Sequence, residues 1–65
     1  MKYKIGFKFR PTFGGSGIDF FEVRAVDEKW IYTTVYPTNG YNFEDKIERE
    51  YYDAAFTIGE YVAVR

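Results

Sequence analysis

A chain of 65 residues with a formal net charge of −1, no cysteine and no histidine is expected to form one domain, residues 1–65, and excludes disulfide staples, zinc fingers, thiolate clusters and imidazole ligands. A domain of this size hides only about 60% of the surface its unfolded chain exposes, and the bulk for its core comes from seven Phe, seven Tyr and one Trp, each able to bury about 150–250 Å². The near-zero charge points to neither nucleic acid nor an anionic membrane as an obligatory partner. With no apolar run near the roughly 20 residues of a membrane span and no signal-peptide order, a soluble, intracellular, cytoplasmic chain is expected.

The first stretch, MKYKIGFKFR, alternates: Tyr3, Ile5, Phe7 and Phe9 on one face, Lys2, Lys4, Lys8 and Arg10 on the other. A period of two predicts a half-buried strand over about 2–10, closed by Pro11, which lacks a backbone donor. Phe13, Gly14, Gly15, Ser16 and Gly17 then predict a flexible hairpin loop, and a second strand is expected over about 18–26. Within it Asp19, Phe21, Val23 and Ala25 share one phase while Phe20 falls out of it, so the doubled Phe20-Phe21 predicts a bulge. Asp27-Glu28 reads as a turn. A third strand over about 29–36 sets Trp30, Tyr32, Thr34 and Tyr36 on one side and Ile31, Thr33 and Val35 on the other, and Pro37 ends it.

Beyond the turn chemistry of PTNG the period changes. Phe43, Ile47, Tyr51, Ala54, Ala55 and Ile58 trace one helical stripe, which predicts a helix over about 43–58 with Asn42 as N-cap and Gly59 as its left-handed stop. Asp45 with Arg49 and Lys46 with Glu50 then form i,i+4 pairs of opposite sign. EYVAVR predicts a last strand over about 60–65. Three strands, a helix and a strand give an α+β domain, a three- to four-stranded, mainly antiparallel twisted sheet packed on one helix. Reversal at each connection would set the last strand beside the first and parallel to it. A small, SH3-like, partly closed barrel is the alternative.

Catalytic chemistry is expected to be absent. The single serine, Ser16, has no histidine to activate it, and G-G-S-G-I departs from the nucleophile elbow at Ile18. A phosphate-binding loop opens into a helix and carries a lysine; FGGSG opens into a strand without one. No metal, calcium loop or other cofactor is implied.

Three surfaces remain. Lys2, Lys4, Lys8 and Arg10 form a basic row that would hold single-stranded nucleic acid beside aromatic rings, or else protect an edge strand against aggregation. Trp30, Tyr32 and Tyr36 form an aromatic row that serves either as core or, if Ile31, Thr33 and Val35 point inward, as an exposed ladder of the residue types favoured at interfaces. Tyr52 and Phe56, off the helical stripe, add to that surplus. The acids Glu44, Asp45, Glu48, Glu50 and Asp53 would line a helix face, solvated or imitating a nucleic-acid backbone. The expected function is therefore a non-catalytic protein-binding module, an inhibitor or adaptor of the kind viruses and mobile elements encode against host proteins. Its partner would be another protein or a second copy of the chain, as a homodimer. The alternatives are a single-stranded nucleic-acid-binding module on the basic strand and a structural homo-oligomer subunit.

Overall fold

The structure, a computed structural model, describes residues 2–64. Five strands and one helix follow in the order β1 (Lys8–Pro11), β2 (Ile18–Val26), β3 (Trp30–Pro37), β4 (Phe43–Glu48), α1 (Arg49–Ile58) and β5 (Tyr61–Ala63). They form one five-stranded sheet in the order β4-β3-β2-β1-β5, antiparallel at every pairing, with α1 packed on one face. The class is α+β, as composition and period imply. With β4 and β5 at opposite edges the sheet stays open, so the closed-barrel alternative does not form.

The largest departure from expectation lies at residues 43–48, which pair with β3 from Val35↔Phe43 to Trp30↔Glu48 instead of opening the helix. A β3 without this neighbour would leave its backbone groups open along one edge, and β4 satisfies them. The helix begins at Arg49, so Asn42 caps nothing; the N-cap is Glu48, in extended conformation and without a side-chain bond. Asp45 and Lys46 stand on a strand, so their helical pairs with Arg49 and Glu50 do not exist. The extra strand also adds one reversal of the chain. The last strand therefore does lie beside β1, but antiparallel to it (Phe9↔Ala63 to Pro11↔Tyr61).

β1 is shorter than the alternation predicts. Gly6 adopts φ 90°, a conformation glycine enters at little cost, and Phe7 N–H closes a turn on Lys4 C=O at 3.0 Å. Lys2 and Tyr3 thus lie against the helix, meeting Asp53 and Tyr52, while Gly6 and Phe7 still bond the backbone of Val23 in β2; Ile5 is left exposed, and Tyr3 and Phe7 reach the core. β2 and β3 keep almost the expected bounds, but the bulge falls one residue before the doubled Phe, between Ile18 and Phe20, with a second register shift between Val23 and Ala25. Phe20 and Phe21 simply alternate, facing Tyr36 and Val35 in turn.

Phe9, Phe21, Val23, Ile31, Val35, Tyr52, Ala55 and Tyr61 make the core between sheet and helix. The helix therefore buries Tyr52 and Ala55, with Phe56 beside them, an i, i+3, i+4 set in a phase different from the expected stripe: Tyr51 and Ile58 are 53% and 68% exposed. That stripe took its phase from Phe43 and Ile47, which belong to β4. At the other end Gly59 takes φ 84° and donates to Phe56 and Ala55 carbonyls, as expected of a left-handed stop. Gly59→Ala is expected to lower stability by about 1 kcal/mol in a urea titration, although a Cβ there would meet nothing within 4 Å.

Candidate functional site

The helix covers one face of the sheet; on the other, alternation places the residues between the core positions. Ile31, Thr33 and Val35 point inward and are buried, so the open question about β3 resolves with Trp30, Tyr32 and Tyr36 on the uncovered face, each half-buried among its neighbours. Beside them stand Phe20, Glu22 and Arg24 from β2, Lys8 and Arg10 from β1, and Glu44, Lys46 and Glu48 from β4.

The rings of this face are held by named partners. Phe20 and Tyr36 stack across the strands with centroids 4.4 Å apart and planes 18° from parallel. Lys8 Nζ lies over Phe20, 5.8 Å from its centroid. The Tyr36 hydroxyl donates to Glu22 Oε1 at 3.0 Å and accepts from Arg24 Nη2 at 3.2 Å, while Arg24 Nε donates to Thr34 Oγ1 at 2.8 Å and its Nη2 lies 3.4 Å from Glu22. Trp30 carries Lys46 Nζ over its ring at 4.3 Å. Tyr32 donates to Asp27 Oδ2 at 2.8 Å, and Asp27 Oδ1 accepts the N–H groups of Lys29 and Trp30 at 2.8 and 2.7 Å. These bonds, led by the Trp30 N–H, hold the Asp27 carboxyl below its ordinary range, and the same carboxylate pushes the Tyr32 phenol up. The turn chemistry of Asp27 thus fixes the end of the aromatic row.

Other expected site residues lie elsewhere. Tyr52 is fully buried and Phe56 is half-buried, their rings 5.0 Å apart; both belong to the core side, so neither extends the aromatic row. The four cations do not form a line. Lys2 pairs with Asp53 on the helix at 3.4 Å, Lys4 sits in the turn ahead of β1, and only Lys8 and Arg10 stand on the uncovered face. Nor is β1 an edge strand, since it lies between β2 and β5, so edge protection does not explain its lysine either. The acids expected on one helix face are divided: Glu44, Asp45 and Glu48 belong to β4, and only Glu50 and Asp53 to α1.

Residues 13–17 do connect two antiparallel strands. Gly15 and Gly17 adopt φ 79° and 75°, Ser16 Oγ accepts Ile18 N–H at 3.3 Å and Thr38 N–H bonds Gly17 C=O at 3.0 Å; Phe13 is exposed at the loop's edge. Phe20, Glu22, Arg24 and Lys46 are not among the site residues expected from sequence, where Phe20 marks a bulge and Lys46 a helical pair. For Phe20 the signal was there, since a large apolar ring out of phase in a strand must face away from the core.

A groove of about 350 Å³ opens between Arg24, Tyr32, Glu44 and Lys46. Among the described residues no three His, Cys, Asp or Glu side chains gather as a metal site requires, and no helix is long and apolar enough to cross a membrane. Neither a family model, nor a curated protein, nor a solved structure matches this chain.

Proposed function

We propose that the chain is a non-catalytic protein-binding module, an inhibitor or adaptor, whose uncovered sheet face docks on a protein surface of mixed charge. The observation that carries this reading is the state of the rings on that face. Single-stranded nucleic acid is held by bases stacking on free ring faces. Here Phe20 and Tyr36 are stacked on each other, Lys8 stands over Phe20, and Lys46 stands over Trp30 at 4.3 Å. What remains exposed is part of each half-buried ring, with both signs of charge beside it. Such pre-ordered aromatic anchors lose little entropy on docking, which suits a protein partner.

The experiment compares capture by the wild-type protein and by Trp30→Ala/Tyr36→Ala, with Tyr41→Ser, at the fully exposed Tyr41, as control. Rings at the centre of such an interface contribute about 2 kcal/mol or more each, so a captured protein is expected to be retained by the control and lost from the double variant while far-UV dichroism stays native and a cooperative urea transition is kept. Binding of a generic oligonucleotide at low salt, abolished by Lys8→Glu/Arg10→Glu, would overturn the reading in favour of nucleic acid.

A further inference from the structure

The free edge of β4 has a charge order that pairs with itself. We propose that two copies of the chain join antiparallel along β4, about a twofold axis at Ile47, into one continuous ten-stranded sheet.

β4 is paired on one side only, by β3, and its other side meets no strand among the described residues. It is exposed at every position except the half-buried Ile47. The backbone phase of that edge follows from one bond. Arg49 N–H donates to Lys29 C=O at 2.7 Å, so in the regular antiparallel alternation Ile47 and Asp45 turn their amides toward β3, while Glu44, Lys46 and Glu48 turn theirs outward. Two side-chain bonds agree: Thr33 Oγ1 reaches Asp45 C=O at 3.4 Å from the β3 side, and Lys46 N–H, facing away from β3, is met by Asp45 Oδ1 at 2.8 Å.

Residues 45–49 read Asp, Lys, Ile, Glu, Arg. Laid antiparallel on a second copy about Ile47, Lys46 faces Glu48 twice, each time a pair of opposite sign, while Arg49, the first helical residue, stays on its own chain with Nη1 on Asp27 C=O at 2.9 Å. The outward amides of Lys46 and Glu48 fall opposite each other as hydrogen-bonded pairs, and the two Ile47 meet at the axis as the close, non-hydrogen-bonded pair. Registers centred on Glu44, Asp45, Lys46 or Glu48 instead set a like-charged pair against itself on the axis, where it destabilises. The bond from Lys46 N–H to Asp45 is exchanged for one to the partner's backbone, so the gain per bond is small, and so short an interface belongs to the weak, concentration-dependent class. A twofold axis normal to the sheet keeps both uncovered faces on the same side, doubling the aromatic row. The proposal rests on the β4 edge alone and is independent of what docks on that face.

Sedimentation equilibrium of the wild-type chain from micromolar to millimolar concentration is expected to show a monomer–dimer equilibrium. Lys46→Glu alone, which sets carboxylate against carboxylate at both pairings with Glu48, is expected to raise the dimer Kd about tenfold or more, and Lys46→Glu/Glu48→Lys to restore it. Both variants lose Lys46 from over Trp30, and the urea midpoint of each, read beside its dimer Kd, separates pairing from folding. In the wild-type protein, amide exchange at Lys46 and Glu48 is expected to slow as concentration rises. A monomer throughout, a dimer indifferent to Lys46→Glu, failure of the double swap to rescue a folded protein, or amide protection elsewhere with β4 unchanged would each overturn the proposal.

Discussion

Replacing Phe9 with alanine is expected to leave the chain unfolded at room temperature. Phe9 is wholly buried and is the ring on which the core converges: it stacks on Phe21 at 4.8 Å and 7°, meets Tyr52 edge-on at 5.1 Å and lies 4.9 and 5.6 Å from Tyr61 and Phe56. It thereby joins β2, α1 and β5 through one side chain. Truncating a buried Phe costs about 3–5 kcal/mol, part lost transfer energy and part unfilled cavity. A single core in a domain this small supplies a net stability of about the same size. Far-UV dichroism and urea titration check the outcome: Phe9→Ala should show no folding transition, and Phe9→Leu, which keeps most of the volume, should remain folded with a lower midpoint. A cooperative transition in Phe9→Ala with a loss below about 2 kcal/mol would show that the core closes without this ring.

The second large effect is expected in alkali. Burial pushes the Tyr61 phenol up to about 12 from its ordinary 10.0, with help from Tyr51 and Glu60. Tyr52 is pushed up as well, again mainly by burial and then by Tyr3, Asp53 and Tyr61. Both groups hold their proton more tightly folded than unfolded, so their stabilisation is complete below the unfolded value and is lost as pH rises through the folded one. Above about pH 10 the unfolded chain releases protons that the native state retains, and stability should fall by up to about 1.4 kcal/mol per pH unit for each tyrosine. For a fold of marginal stability this means alkaline unfolding before the phenols titrate in the native state. Urea midpoints between neutral pH and pH 12, read beside tyrosinate absorbance, test it. Tyr52→Phe, which cannot ionise there, should show a shallower decline, and an unchanged slope would show that other groups govern the alkaline limit.

Legibility differs sharply along the chain. β2 and β3 were readable because their apolar positions alternate over eight or nine residues, long enough for period two to admit no helix. Gly59 was readable because only one residue type takes its conformation without cost. The stretch 43–48 was not, and the reason is arithmetical: Phe43 and Ile47 are four apart, a spacing that shares a face on a helix and on a strand alike. β4, an edge strand open to solvent, shows none of the alternation that separates the two. Placed on the helix, these residues shift the phase of its whole apolar stripe and put Tyr52, which is fully buried, on the surface. The site was legible in half. Trp30, Tyr32 and Tyr36 follow from alternation, but the choice of face needed the helix to be in place, and Phe20, Glu22, Arg24 and Lys46 joined them only through strand pairing.

Class, the strands with sustained alternation, the helix stop, and an aromatic surplus in a chain with neither thiol nor imidazole are all legible before folding, because they are properties of short windows and of composition. Long-range contacts are what make residues 43–48 extend the sheet, run the last strand antiparallel to the first, draw Lys2 out of the basic row to Asp53, and set which side of β3 faces away from the helix. Those outcomes depend on which backbone edge and which apolar face are left open once distant elements have met, and no local period encodes them.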